Sequence, residues 1–253
     1  MPLSKFFFLP TLLITVAVLL NACGKDDSTP TALTGTLRGT VQVWNDKATS
    51  IPDRSGVTVT LDNLSGKTTT TGADGSFQFT DLPFDSYDLS FSKAGYGTLK
   101  LIGAKLSGTT AGTVVNLPTV QFGALSTTTV TALTLNNTTY NGGPGVSYNY
   151  TVSPAPTTTN RGYVRAFLST TNAVTNTNYT AFSSLNSVLS ANVLGGFTAS
   201  ELYAMGFSTG QNVFIKLYGD SFQSNDYEDP LTGKTIFPNL NQTSAPAISF
   251  IVP

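Results

Sequence analysis

The sequence contains no histidine. Imidazole is the usual proton shuttle at neutral pH and a common ligand of catalytic zinc. Its absence removes Ser-His-Asp catalysis, Cys-His catalysis and His-ligated metal chemistry together. Cysteine is almost absent as well. Cys23 stands alone, so no internal disulfide can form. Charge is scarce: Lys, Arg, Asp and Glu make up 11% of the residues and the net charge is -1. That leaves no basic footprint for a nucleic-acid backbone. Carboxylate chemistry is the one common catalytic route that survives. What the chain has in quantity is Thr, Ser, Asn, Gly and β-formers. This is the composition of an all-β extracellular protein with an uncharged polar surface.

The first residues give an address. Lys5 precedes an apolar run from Phe6 to Leu20. At about 1.5 Å per residue this run is too short to span a bilayer comfortably, and its length suits a secretory signal. Ala22 sits directly before the lone cysteine. Leu20-Asn21-Ala22-Cys23 resembles the bacterial lipoprotein motif, with Asn21 bulkier than the small residue usual there. The resemblance implies a signal peptide over 1–22, lipidation of Cys23, a tether over 23–34, and the membrane as a partner through N-terminal acyl chains. Two or more chains hold firmly where one binds marginally. Gly24-Lys25-Asp26-Asp27 resembles the export signal of surface lipoproteins in Bacteroidota-type bacteria. It implies an outer-membrane protein facing the cell exterior. The plainer alternatives are a chance cysteine beside an ordinary cleavage site and an ordinary polar linker.

From Leu37 the pattern has period two. Leu37, Gly39, Val41 and Val43 alternate with Arg38, Thr40, Gln42 and Trp44, which predicts a strand. Further strands are expected at 57–61 and 68–71, around Phe77 and Phe79, around Tyr87, Leu89 and Phe91, and at 98–102 and 114–117. Asp81-Leu82-Pro83 is expected to break the chain, and Ala73-Asp74-Gly75 to turn it. Thr70 to Phe79, then Leu82-Pro83, Tyr87-Asp88-Leu89 and Lys93-Ala94-Gly95-Tyr96 follow one another at short spacing. That series resembles the carboxypeptidase regulatory-like domain, a seven-stranded transthyretin-like sandwich, over 35–122. The resemblance brings no catalytic residues with it.

Residues 121–131 read as the junction to a second β domain over 128–253. Val146, Tyr148, Tyr150 and Val152 alternate strictly after the turn at Asn141-Gly142-Gly143-Pro144-Gly145. Strands are expected at 163–169 and 187–193, around Val213, Ile215 and Leu217, and around Ile248, Phe250 and Val252. Thr198 with Glu201 forms a capping box for one short helix ending at Gly206, with Phe197 and Leu202 placed for a staple. The spacing predicts an immunoglobulin- or fibronectin-like sandwich. The fold class is therefore all-β, two sandwiches in tandem.

Two sets of residues invite a site. Residues 125–253 hold five acids, and four of them, Asp220, Asp226, Glu228 and Asp229, fall within ten positions. Carboxylates and backbone carbonyls on a loop are what calcium takes, although the spacing is not that of an EF-hand. The plainer reading is a solvated loop. A glycosidase pair is disfavoured because its carboxylates normally flank a cleft on rigid elements. Trp44 and Tyr96 are candidates to stack on a ligand, with Tyr163 and Tyr203 behind them. Their alternative is packing in a core or between domains. Arg161 and Arg165 read as surface charges. The function expected is a non-catalytic, lipid-anchored surface protein with a structural or interaction role, as an adhesin or accessory subunit. The alternative is a carbohydrate-binding accessory lipoprotein of a glycan-uptake system. Two partner classes stay open, a glycan or another surface protein.

Overall fold

Val41 and Val43 face inward and Gln42 outward, so alternation drives β1 (Thr34–Trp44) into a sheet with one buried face. A computed structural model describes residues 33–253. The expected signal peptide, Cys23 and most of the expected tether lie outside the described residues. Seven more strands follow in the first sandwich: β2 (Thr58–Leu61), β3 (Thr68–Thr70), β4 (Ser76–Pro83), β5 (Asp85–Ser92), β6 (Leu99–Leu106), β7 (Thr113–Asn116) and β8 (Val120–Gly123). One sheet runs β4-β1-β7, and β8 pairs with the far half of β1; the other runs β3-β2-β5-β6. Both β7 and β8 lie parallel to β1. Between the sheets lie Leu37, Val41, Val59, Phe77, Phe79, Leu89, Phe91 and Phe122. Gly39 is part of that packing: a Cβ there would sit 2.5 Å from the Phe77 ring.

Two expectations change here. Asp81-Leu82-Pro83 does not end β4. Asp81 adopts a φ of 57°, and the pairing steps from Leu37↔Phe79 to Gly35↔Leu82, so one extra residue is absorbed as a bulge. The strand then resumes and buries Leu82 completely. The junction starts later than expected, because Val120 and Phe122 are core residues of β8. The first sandwich thus has eight strands where seven were expected.

The second sandwich comprises β9 (Thr129–Tyr140), β10 (Gly143–Ser153), β11 (Gly162–Ser169), β12 (Ala181–Phe182), β13 (Asn186–Val188), β14 (Asn192–Thr198), α1 (Ala199–Ala204), β15 (Asn212–Asp220), the hairpin β16 (Tyr227–Glu228) and β17 (Thr235–Ile236), and β18 (Ile248–Ile251). The turn between β9 and β10 is tighter than expected. It is the two residues Asn141 and Gly142, with φ of 50° and 79°, the handedness an antiparallel hairpin needs. One sheet orders β14-β10-β9. The other orders β12-β11-β15-β18, with β13 also on β11. The chain therefore crosses between sheets after β10, returns for β14, and crosses again for β15, the Greek-key pattern of fibronectin-like sandwiches. The strand expected at 187–193 is split into β13 and β14, and β12 forms ahead of it, where no strand was expected. The helix forms as its sequence predicts. Thr198 Oγ1 accepts from Glu201 N, Glu201 Oε2 accepts from Thr198 N at 2.7 Å, and Gly206 takes a φ of 91°.

β11 is buried along its whole length. Val164, Ala166 and Leu168 face the main core with Tyr148, Tyr150, Ile215 and Phe250. Phe167 faces a separate cluster with Tyr218, Phe237 and Leu240. That second cluster exists because residues 221–247, between β15 and β18, fold back over the outer face of the sheet.

Replacing Phe91, fully buried and edge-on to Phe77 at 5.7 Å, by Ala removes a ring no neighbour can replace. The loss expected is about 3–5 kcal/mol, read as a lowered urea midpoint. Stability also falls in alkali. Burial pushes the Tyr148 phenol well up and that of Tyr150 from 10.0 to about 12. Both groups have raised folded values, so their contribution is complete below the unfolded value and is lost as pH climbs from 10 toward about 12. The melting temperature is expected to drop across that window, and to drop less in the Tyr150→Phe protein. An equal drop in both would remove Tyr150 as its cause.

Candidate functional site

The aromatic residues Trp44, Tyr96 and Tyr163 lie at the joint between the sandwiches. Trp44 closes β1. Its Nε1 donates to Gln121 Oε1 at 2.7 Å, and its ring stands edge-on to Phe222 at 5.4 Å. Phe222 belongs to the segment after β15, and its other neighbour is Tyr163, at 5.8 Å. Trp44 is therefore half-buried in the joint, and the expectation of an exposed platform is corrected. Tyr96 is half-buried too. Its ring lies on Phe122 at 5.0 Å with 14° between planes, and the Lys93 ammonium sits 5.8 Å from its centroid. One face is thus occupied by protein. Burial pushes its phenol up.

The four acidic residues do not gather. Asp220 is fully buried at the end of β15 and accepts from Arg165 Nε at 2.8 Å. The same guanidinium donates to the Ser183 carbonyl at 3.0 Å and lies 4.5 Å from the Phe237 centroid. Burial pushes the Asp220 carboxyl up, and Arg165 offsets part of that. Arg165 is thus an interior residue and not a surface charge, whereas Arg161 is exposed as expected. Asp226 accepts from the Ser224 hydroxyl at the surface. Glu228 is exposed in β16, paired with Thr235. Asp229 caps the β16–β17 turn, accepting from Thr232 Oγ1 at 2.6 Å and from Leu231 N at 3.3 Å. Those bonds, the Thr232 hydroxyl first, hold its carboxyl below the usual range. Among the described residues no three His, Cys, Asp or Glu side chains lie close enough to hold a metal ion. The calcium expectation on these four residues is corrected accordingly: Asp220 is committed to an arginine, and residues 221–225 plunge into the joint between it and the rest.

The joint itself rests on two asparagines. Asn239 is completely buried and Asn225 nearly so. Asn225 Nδ2 donates to the carbonyls of Gly97 at 2.8 Å and Gly123 at 3.0 Å, and its Oδ1 accepts from Gly123 N at 2.8 Å. Asn239 Oδ1 accepts from Gly97 N at 2.8 Å, while its Nδ2 donates to Gly123 O at 2.9 Å and to Gln223 O at 2.6 Å. The backbone of the first sandwich is thus read at two glycines by two side chains of the second. Both glycines are sterically required. A Cβ at Gly97 would sit 2.5 Å from Pro238, and one at Gly123 would sit 2.1 Å from the Gln223 carbonyl. Asn225 itself has a φ of 54°, which asparagine tolerates. Asp46 completes the joint. Its carbonyl accepts from Phe222 N at 3.2 Å, and its carboxylate accepts from Thr127 N at 2.8 Å and Thr127 Oγ1 at 2.6 Å. In an Asn-rich chain no local pattern separates Asn225 and Asn239 from the rest; only the fold brings them together.

Among solved structures, the chain is similar to a DUF3823 family protein from Parabacteroides merdae, at 12% identity over 87% of this chain and 99% of that one, with a TM-score of 0.30. It is similar also to BcpA, the major pilin subunit of Bacillus cereus, at 15% identity over 86% of this chain and 69% of that one, with a TM-score of 0.31. A type II cohesin–X-dockerin complex from Acetivibrio cellulolyticus matches at 19% identity and a TM-score of 0.30, over 36% of this chain; the match spans only 59% of that chain. No curated protein matches. The family comparison is more direct, and it runs past the first core into β9: residues 36–139 match the carboxypeptidase regulatory-like domain.

Proposed function

We propose that the protein is a non-catalytic, lipid-anchored surface protein whose two sandwiches form one rigid unit that displays a contact surface away from the membrane. The observation that carries this reading is the joint. Tandem modules joined by a linker move relative to one another by default. Here two buried asparagines bind the backbone of the neighbouring sandwich at Gly97 and Gly123. A polar network with its members satisfied holds one geometry, because any other leaves buried groups unpaired. Fixed geometry suits a display element or an accessory subunit that must present a face at a set distance. Catalysis draws no support from the described side chains. The one buried carboxylate of the expected acidic loop is neutralised by Arg165, and the matched domain is a regulatory-like one. The anchor and the outer-membrane address rest on the resemblance carried by residues 20–27, and the partner classes remain a glycan or another surface protein.

Two measurements test the reading. A Cys23→Ser protein is expected to leave the membrane fraction for the soluble one; persistence with membranes would refute the anchor. The wild-type chain is expected to unfold in a single calorimetric transition. The Asn225→Ala/Asn239→Ala protein should resolve into two, with the lower moved down by several degrees, because the two changes together take hydrogen-bond partners from five backbone groups, each costing about 1–3 kcal/mol when buried and unpaired. Two independent transitions already in the wild type would sink the rigid-unit reading.

A further inference from the structure

Away from the joint, the second sandwich holds a cavity of about 390 Å³ between β14 and β13, walled by Tyr140, Tyr148, Tyr150, Ser183, Asn186 and Ser187. Its size falls within the range of small-molecule sites. Two glycines of β14 help to shape it. A Cβ at Gly195 would lie 2.6 Å from the Tyr148 ring, and one at Gly196 would lie 2.3 Å from the Tyr140 ring, so three tyrosine rings settle against bare backbone.

The phenols are the telling feature. Tyr148 is 3% exposed and Tyr150 5% exposed, yet neither hydroxyl is hydrogen-bonded to a described residue. Buried phenols ordinarily find a partner. Nor are their oxygens sealed away; the sealed, partnerless side-chain atoms among the described residues are Arg54 Nε and Ser221 Oγ. Both tyrosines line the cavity. Burial holds them neutral far above physiological pH, so each offers a proton and a lone pair. Opposite stands the Asn186 carboxamide, whose nitrogen makes only a long contact of 3.4 Å to the Ser184 carbonyl, leaving Oδ1 free. Glu201 also reaches the wall, with Oε2 committed to the helix cap and its other oxygen unused.

The balance of groups selects the ligand. No Lys or Arg lines the cavity, which disfavours a phosphate or carboxylate ligand. One half-committed carboxylate is too few for a metal ion. Hydroxyls and an amide that both donate and accept, beside aromatic faces, match a molecule that does the same. The larger groove of the first sandwich lacks this surplus. Its Arg38 is paired to Gln78 at 3.2 Å, and its Thr40 to Thr119 at 3.0 Å.

We propose that this cavity is a binding site for a neutral polyhydroxylated molecule of monosaccharide size, held by Tyr148, Tyr150 and Asn186. The site goes beyond the display function and stands without the anchor. It also moves sugar recognition away from Trp44 and Tyr96, which are taken up by packing.

The test uses the full chain in an amine-oxide detergent, which carries no sugar. Glucose, galactose, mannose and N-acetylglucosamine serve as probes at millimolar concentration, followed by saturation-transfer NMR. At least one is expected to bind, and glucuronate is expected to bind more weakly than glucose. The Tyr148→Phe/Tyr150→Phe protein keeps both rings and should lose about tenfold in affinity, the worth of one to two hydrogen bonds. Asn186→Ala, at an exposed position where folding is secure, should weaken binding similarly, and Tyr203→Phe on the far side of α1 should leave it unchanged. Absence of transfer from all four neutral probes would overturn the proposal, as would wild-type affinity in both the double-Phe and the Asn186→Ala proteins. Neither result bears on membrane fractionation, so the anchor reading stands or falls separately.

Discussion

Two buried carboxamides set how the two sandwiches meet. Asn225 and Asn239 supply the donors and acceptors that the Gly97 and Gly123 peptides would otherwise lose on leaving water. Neither sandwich needs the other to close its own hydrophobic core, since the two main cores are separate clusters. What joins them is polar matching and close backbone approach, beside the edge-on contact of Trp44 with Phe222. Such contacts are short-ranged and directional, so they fix orientation where apolar burial would leave it loose.

The same excursion, residues 221–247, does a second task. Its Phe237 and Leu240 cover the outer face of β11, so that Phe167 gains a small core of its own. Covering that face also explains the buried Arg165–Asp220 pair. Arg165 occupies an outward position by strand alternation, and the fold-back closes over it. Its charge is then met by Asp220, by the Ser183 carbonyl and by the Phe237 ring. A guanidinium can be enclosed when each of its faces and edges finds a partner.

Much of the architecture was readable because period-two alternation is a local signal. Val146, Tyr148, Tyr150 and Val152 announce both a strand and its buried face, and the capping box at Thr198 and Glu201 announces α1. Ala73-Asp74-Gly75 announces a turn, and that turn carries the chain from β3 in one sheet to β4 in the other. The bulge at Asp81 was not readable, because Asp-Leu-Pro looks the same whether a strand ends or merely kinks there. β8 escaped because most of it falls in the stretch read as the junction between the domains. The site was the least legible part. Trp44 looks solvent-facing until a segment nearly two hundred positions later covers it, and an acid-rich loop looks like a ligand set until one acid turns inward. Burial by distant chain leaves no trace in local pattern.

One geometrical fact about β1 carries further. The strand starts at Thr34, on the side from which the chain enters, and ends at Trp44, inside the joint. Eleven extended residues span about 35 Å. Along that length the strand is flanked by β4 on one side and by β7 and then β8 on the other. A pull between Thr34 and the second sandwich therefore acts lengthwise on β1. The ladder bonds on both flanks are then loaded in shear and must yield as a group, not one after another as in a peeled hairpin. The joint grips β8 through Gly123 and meets β1 through Trp44, so the load enters both partners at once. The first sandwich's resistance to a pull is thus set by the direction of the pull, greatest along β1 and least across it.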